Sequence, residues 1–236
     1  MHLHKSKTLA NLDMFRCNPG YKHDLMRDHD GIFLMWKTMD YFRPQSVLEI
    51  GFGCGQSLGL LYESSGASRI LSVDDKHNNK ENWIGLFPDA PVEWITCDSK
   101  TFTSTEKFDF VFLDGDHLYH GVVADIKNTV PLLHETSILC IDDWQFPGVN
   151  RAIKDTILGN TLLVPFLANY QQMYFTNRNN NINDFRYDFL PANDTAFMKY
   201  WQEEEFGRSI TRAKLDEIMF IEDERIFKLA LEFYNI

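Results

Sequence analysis

A glycine-rich segment that follows an apolar run constrains this chain more than any other feature. The run 48–50 (Leu-Glu-Ile) leads into Gly51, Gly53 and Gly55, and a second apolar run ends at Asp74. Alternating glycines let the backbone turn tightly and approach a ligand, and an acidic residue after the next strand accepts hydrogen bonds from ribose hydroxyls. The segment therefore predicts a nucleotide-like cofactor held by an open α/β sheet.

The spacing of these glycines separates two classes of cofactor. A dinucleotide fingerprint requires G-x-G-x-x-G, and its third glycine would stand where this chain has Gln56. The pattern here is G-x-G-x-G directly after Glu49, which disfavours an NAD-dependent oxidoreductase. A glycine triplet on its own is also compatible with a plain turn between a strand and a helix.

Strand and helix patterns alternate along the middle of the chain. The segment 108–113 is apolar almost throughout, as expected for a strand buried on both faces. Regular alternation predicts an α/β fold, with a doubly wound, mostly parallel seven-stranded sheet and helices on both faces. The predicted strands cover residues 46–50, 69–73, 92–96, 108–113, 138–141, 161–165 and 172–176. The predicted helices cover residues 32–42, 56–64, 78–86, 118–133 and 149–158.

Changes in composition divide the chain into three parts. Residues 1–45 are predicted to form an N-terminal helical segment, and residues 46–178 the cofactor-binding core. Residues 179–236 begin with an Asn-rich stretch and are predicted to form a helical C-terminal appendage. Two helices are expected in that appendage, over about residues 194–206 and 212–234.

The charge of the chain bears on its partners. A net charge of -11 and a pI near 5.1 disfavour nucleic acid as a partner, because nucleic-acid-binding proteins usually present a basic face. No apolar run reaches the roughly 18 residues that span a bilayer, and the N-terminus lacks the apolar core of a signal peptide. We therefore expect a cytoplasmic protein that acts on a small molecule.

The four cysteines are widely spaced and give no zinc motif. Cys17, Cys54, Cys97 and Cys140 include no C-x-x-C pair. The last three lie in or beside predicted strands, where a free cysteine behaves as a small buried apolar residue. This pattern fits a reducing compartment.

Two acidic clusters follow neighbouring strands of the predicted sheet. The segment 114–117 (Asp-Gly-Asp-His) follows the fourth strand, and Asp142-Asp143 follows the fifth. Adjacent parallel strands lie about 5 Å apart, so both clusters should share one rim of the sheet. Carboxylates this close repel one another unless a cation binds, and hard oxygen ligands suit magnesium, manganese or calcium. As alternatives, Asp116 would cap the following helix and the Asp pair would be a polar strand end.

Two stretches carry a family resemblance: residues 112–126 read FLDGDHLYHGVVADI, and residues 140–143 read CIDD. They resemble the metal-dependent O-methyltransferases of the macrocin and aminocoumarin-sugar type. These belong to the class I S-adenosylmethionine (SAM) methyltransferases. The resemblance extends more distantly to catechol O-methyltransferases and covers roughly residues 45–160. It implies a divalent cation, with magnesium expected, on Asp114, Asp142 and Asp143.

The same resemblance implies a SAM site. The glycine segment would form its wall near the methionine part, the acids after the second strand would hold the ribose, and the pair after the third strand would contact the adenine amino group. Asp75 could exchange roles with Asp74, and Asp98 could instead cap the segment after it. The implied cofactor-binding residues are Glu49, Gly51, Gly53, Gly55, Asp74, Asp75, Asp98, Ser99 and Asp114.

The chemistry implied is methyl transfer to a hydroxyl of a small acceptor, a sugar or another vicinal diol. The cation would bind neighbouring acceptor oxygens beside Asp114, and Asp116 or His117 would take the proton. Catechol-type relatives carry Lys at the position of His117. N-methylation and a non-catalytic SAM- or nucleotide-binding module stay open as alternatives. The resemblance and the aromatic content also suggest a homodimer, through the N-terminal helix or the C-terminal appendage.

Overall fold

A computed structural model describes residues 6–15, 29–158, 161–169, 171–182, 185 and 219–220. Its centre is a single sheet with the strand order β3-β2-β1-β4-β5-β7-β6-β8. The strands are β1 Ser46–Ile50, β2 Arg69–Asp74, β3 Val92–Thr96, β4 Phe108–Leu113, β5 Leu133–Ile141, β6 Leu163–Ala168, β7 Met173–Asn177 and β8 Met219–Phe220. The described helices are α1 Lys7–Ala10, α2 His29–Phe42, α3 Gln56–Ser65, α4 Lys80–Leu86, α5 Tyr119–Thr129 and α6 Pro147–Thr156.

The first five strands of the sheet, from β3 to β5, are parallel, and their register aligns the ends that carry the predicted site. Ile50 pairs with Leu113, and Leu113 pairs with Ile141. The residue after each of these strands therefore emerges at the same level of one rim. β7 runs antiparallel between β5 and β6, so the sheet is mixed, and its five parallel strands agree with the predicted mostly parallel fold class.

The strands alternate their side chains between two buried layers. In β4, Phe110 and Phe112 pack into the core on one face, and Val111 and Leu113 pack into the core on the other. All four are at most 4% exposed, which explains why this strand is apolar at consecutive positions. The layers fix β4 on both sides and so hold the segment that begins at Asp114.

Element boundaries depart from prediction where proline or strand pairing intervenes. The helix predicted over residues 118–133 ends at Thr129, because Pro131 lies in a short 3-10 turn and has no backbone donor to continue it. β5 then begins at Leu133, five residues before the predicted start at Ile138.

In the C-terminal appendage, only residues 219–220 can be compared with the predicted helices. There the helix prediction is wrong: Phe220 and Met219 pair with Leu167 and Ala168 of β6. β6 would otherwise leave a row of unpaired backbone groups at the edge of the sheet, and such an edge favours another strand. The helix expected over residues 194–206 lies outside the described residues. In the described part of the chain, no helix is long and apolar enough to cross a bilayer.

Candidate active site

A cavity of about 560 Å³ opens at the carboxyl ends of β1 to β4. This is where open α/β sheets bind their ligands. Most of the predicted site residues line it. Those in its wall are Gly51, Gly53, Asp74, Asp75, Asp98, Ser99, Asp114 and Asp116.

The glycine segment passes close to the end of β4. Gly51 has φ +94°, and a Cβ there would overlap the carbonyl oxygen of Asp114 and lie 2.9 Å from the nitrogen of Gly115. Gly55 has φ +85° and begins α3, where a Cβ would lie 2.6 Å from the indole of Trp83. Gly51 therefore joins the cofactor segment to the acidic rim, whereas Gly55 faces away from the cavity.

Asp74 holds the glycine segment in place. One carboxylate oxygen accepts hydrogen bonds from the backbone nitrogens of Phe52 (2.7 Å) and Gly53 (3.1 Å). The other accepts one from the backbone nitrogen of Lys76 (2.7 Å). Asp74 also lines the cavity beside the more exposed Asp75. A carboxylate has about four lone-pair positions, so acceptor capacity is left for a ligand hydroxyl.

Glu49 lies behind the wall of the cavity rather than in it. Its side chain is fully buried and accepts hydrogen bonds from the hydroxyls of Ser57 (2.7 Å) and Ser72 (2.8 Å). Burial disfavours the charged form and raises the pKa of Glu49 to about 8. The expectation that Glu49 lines the wall near the methionine part is thus corrected: it supports the loop from within the core.

The buried Glu49 gives a pH-dependent stability. Its folded pKa of about 8 exceeds its ordinary value of 4.5, so the folded state holds this proton more tightly. The contribution of this proton to the free energy of unfolding is fully present below pH 4.5. It is lost as pH rises through 8, at up to about 1.4 kcal/mol per pH unit. We expect Glu49→Gln to flatten the fall in unfolding free energy between pH 5 and 8, measured by urea denaturation. Glu81→Gln, at an exposed position, is the control. Equal pH slopes for wild type and Glu49→Gln would contradict this assignment.

The far end of the cavity is built on a 3-10 turn over Ser99–Thr101. Asp98 caps this turn, accepting a hydrogen bond from the backbone nitrogen of Lys100 at 3.0 Å. The capping alternative is therefore confirmed, and Asp98 lines the cavity as well. The ammonium of Lys100 lies 3.5 Å from a carboxylate oxygen of Asp116.

Asp116 also has a structural role. It accepts a hydrogen bond from the backbone nitrogen of Leu118 at 2.9 Å, just before α5, and its carboxylate covers Gly121 in the first turn. The helix-start alternative for Asp116 is confirmed. Its carboxylate lies outside the group that Asp114, His117 and Asp143 form at the rim.

The acidic rim brings together Asp114, His117 and Asp143. One ligand atom from each lies within 4.8 Å of the others. Nε2 of His117 is 3.3 Å from Asp114 and 3.4 Å from Asp143. Burial raises the pKa of Asp114 to about 6, and the hydrogen bond with Asp114 raises the pKa of His117. The prediction that the two clusters meet at one rim is confirmed by this geometry.

Asp142 lies outside that convergent group, although the predicted ligand set included it. It is 5% exposed, and its Oδ1 is buried with no hydrogen-bond partner. Burial, followed by the neighbouring Asp114, raises the pKa of Asp142 well above its usual range. An orphaned carboxylate oxygen beside two further carboxylates is a donor set that fits a hard divalent cation. The residues present therefore fit the implied metal.

Helix α6 positions His117, a role that its sequence did not reveal. A Cβ on Gly148 would lie 2.6 Å from the carbonyl oxygen of His117 and 3.0 Å from the nitrogen of Tyr119. The ring centroid of Phe146 lies 5.4 Å from that of the imidazole, and Phe146 is 42% exposed. Trp144 is a core residue that donates a hydrogen bond to the carbonyl of Asn169. In the sequence, Gly148 next to a proline is typical of an ordinary helix start. The close approach of Gly148 to His117 is therefore visible only in the structure.

The cysteines differ in part from prediction. Cys97 and Cys140 are free, and Cys140 is buried, as expected for a small core residue. Cys54 is disulfide-bonded. The expectation of a free thiol at Cys54 is therefore wrong. Cys17 lies outside the described residues.

Residues 48–144 match a family model described as a methyltransferase domain. The sequence matches none of the curated proteins with which it was compared.

Similar solved structures include an O-methyltransferase from Bacillus cereus in complex with SAH (S-adenosylhomocysteine), with 18% identity, a TM-score of 0.58, and coverage of 72% of this chain and 90% of that one. The TDP-rhamnose 3'-O-methyltransferase of calicheamicin biosynthesis has 15% identity, a TM-score of 0.53 and coverage of 72% and 92%. TomG, an O-methyltransferase from Streptomyces achromogenes in complex with SAM, has 14% identity, a TM-score of 0.53 and coverage of 73% and 86%. Residues 48–144 are thus similar to a methyltransferase domain, and the chain has the Rossmann-like fold of these solved methyltransferases.

Proposed function

We propose that this protein is a SAM-dependent, divalent-metal-dependent O-methyltransferase whose acceptor is a small hydroxylated molecule, a sugar or another vicinal diol. The observation that carries the proposal is the shared position of Asp114. It lines the cavity that also contains Asp74 and Asp98, and it belongs to the convergent group with His117 and Asp143. A methyl donor and an acidic metal rim would thus meet at one residue.

Asp114, Asp142 and Asp143 would hold the cation. They supply only oxygen ligands, which magnesium and manganese prefer, and their mutual repulsion disappears when a divalent charge lies between them. When bound, the cation supplies Lewis acidity and a template for two neighbouring acceptor oxygens. Asp143 has φ +52°, a conformation uncommon for a residue with a side chain. That turn directs its carboxylate to within 3.4 Å of His117.

His117 would accept the proton of the acceptor hydroxyl. Its imidazole is partly exposed beside the buried Asp114, with Nε2 facing the two carboxylates. In the transfer, the acceptor oxygen forms a bond to the methyl carbon and the bond from that carbon to sulfur breaks. The electron pair stays on sulfur, which becomes the neutral thioether of SAH, and the hydroxyl proton passes to the imidazole. Holding both reactants in line supplies much of the rate.

The acceptor class is tested by measuring SAH release with matched pairs of acceptors. A panel of sugars and catechols with free vicinal hydroxyls would be compared with the same molecules carrying one hydroxyl replaced by hydrogen, with magnesium and with EDTA. We expect turnover on vicinal diols that EDTA abolishes and magnesium restores. Methylation of amines in preference to diols, or full activity in EDTA, would contradict the proposal.

Replacing His117 separates its role as a base from a role as a ligand. We expect His117→Gln to lower kcat by about 10²–10⁴-fold while the protein keeps its manganese affinity within a few-fold, because the amide cannot accept the proton. Manganese binding would be followed by calorimetry, and His120→Gln, outside the convergent group, is the matched control. Loss of manganese binding in His117→Gln would make His117 a ligand instead.

The homodimer and the cytoplasmic location stay predictions from the sequence.

A further inference from the structure

We infer that Asp125 is a positioning residue, which orients the hydroxyl of Ser99 so that the cavity selects a purine with an amino group rather than an oxygen at C6. The inference rests on the proposed binding of SAM. It assigns a role to a buried acid that the methyl-transfer chemistry does not use.

Asp125 lies directly beneath the cavity. Its side chain on α5 is 2% exposed, and Oδ1 is buried without a hydrogen-bond partner. Oδ2 lies 3.0 Å from the point where a Cβ on Gly115 would be, and Gly115 lines the cavity. A glycine at position 115 therefore leaves room for the carboxyl of Asp125, one atomic layer behind the wall.

Ser99 joins this acid to the cavity. Its hydroxyl lies 3.9 Å from the position that a Cβ on Gly115 would take, and it hydrogen-bonds the carboxyl of Asp125. Burial raises the pKa of Asp125 to about 6, so the carboxyl is mostly ionised at neutral pH. An ionised carboxylate can only accept hydrogen bonds, so the Ser99 hydroxyl must donate to it.

This fixed direction changes what Ser99 offers a ligand. A serine hydroxyl can ordinarily rotate to donate or to accept, but here its proton is used and only its lone pairs remain. Asp98 and Asp116 line the same end of the cavity with further acceptors. The ammonium of Lys100 lies 3.5 Å from Asp116 and 4.0 Å from Asp98, so it is directed to those carboxylates. This end therefore favours a ligand group that donates.

The purine of SAM fits this end of the cavity. Asp114, in the wall of the same cavity, belongs to the acidic rim where the methyl group would be transferred, and Asp74 lines the cavity as the acceptor for ribose hydroxyls. The adenine amino group is a hydrogen-bond donor, whereas the 6-oxo group of hypoxanthine is an acceptor. Facing lone pairs would disfavour the 6-oxo analogue, and a site built around one hydrogen-bond polarity discriminates strongly.

The test compares the affinities of SAH and its 6-oxo analogue, S-inosylhomocysteine, by calorimetry. We expect wild type to prefer SAH by at least about 10-fold. Asp125→Asn should reduce that preference by at least about 3-fold, because the amide can donate to Ser99 and free its hydroxyl to donate to the ligand. Ser99→Ala should reduce it as well. In the double variant the preference should equal that of Ser99→Ala, since Asp125 acts through Ser99.

The ratio of affinities is the deciding measurement, because a merely structural loss would weaken both ligands alike. An unchanged ratio in Asp125→Asn, or a further loss in the double variant, would overturn the inference. Should Asp125→Asn not fold, an unchanged ratio in Ser99→Ala overturns it alone. Failure of wild type to bind either ligand would overturn the proposed function itself, so the two failures are distinguishable.

Discussion

Replacing Asp143 by Asn is expected to abolish divalent-metal binding and metal-dependent turnover. Asn has the shape of Asp and tolerates positive φ, so the backbone at φ +52° should be retained. The change removes one negative charge from the proposed ligand set, which also includes Asp114 and the orphaned Asp142. We expect manganese affinity to fall by at least about 100-fold, which exceeds the loss typical of residues outside the ligand shell. Calorimetric titration with manganese measures it.

The matched control for this variant is Asp75→Asn. Asp75 carries the same charge and lines the same cavity, but it is exposed and lies outside the convergent group. We expect its manganese affinity to stay within a few-fold of wild type. Wild-type manganese affinity in Asp143→Asn, with the fold intact by circular dichroism, would contradict the assignment of the rim as a metal site.

Adding a methyl group at Gly51 is expected to unfold the cofactor segment or to displace it. At φ +94° a Cβ is strained, and at this position it would also overlap the carbonyl oxygen of Asp114, which is backbone and cannot rotate away. We expect Gly51→Ala to lower the unfolding free energy by about 3 kcal/mol or more, combining backbone strain and overlap. Urea denaturation measures the stability, and calorimetry should show loss of SAM binding.

Gly85 provides the control for this substitution. It lies within α4, and a Cβ there would meet nothing within 4 Å. Ala is favoured over Gly in a helix interior by about 1 kcal/mol, so Gly85→Ala should leave stability unchanged or raise it. A Gly51→Ala variant as stable as wild type would show that the segment and β4 do not approach each other as described.

Most of the fold could be predicted from the sequence, because the signals for parallel strands are local. β3 Val92–Thr96 and β4 Phe108–Leu113 have the predicted bounds, since each is a short apolar or β-branched run bounded by turn residues. The meeting of Asp114 with Asp143 was also predictable, because neighbouring parallel strands end at one rim. What the pattern could not give was pairing with a distant segment, and so the strand at Met219–Phe220 was predicted as helix.

The finer details of the site could not be predicted from the sequence, for a related reason. Glu49 reads as part of the cofactor motif, but the strand alternates and places its carboxyl in the core between Ser57 and Ser72. The close approach of Gly148 to His117 depends on how α6 docks, which no local pattern records. Asp98 and Asp116 were each open to a capping role, and both caps form, because a carboxylate before a helical turn satisfies its free backbone donors.

Calorimetric titration of the protein with SAM, with and without magnesium, tests the central claim most directly when it is repeated on Asp142→Ala. We expect micromolar SAM binding by both proteins and a separate magnesium site that only wild type retains. SAM binding by wild type with no magnesium site would contradict the metal-dependent mechanism. No SAM binding under either condition would contradict the assignment of the cavity as a whole.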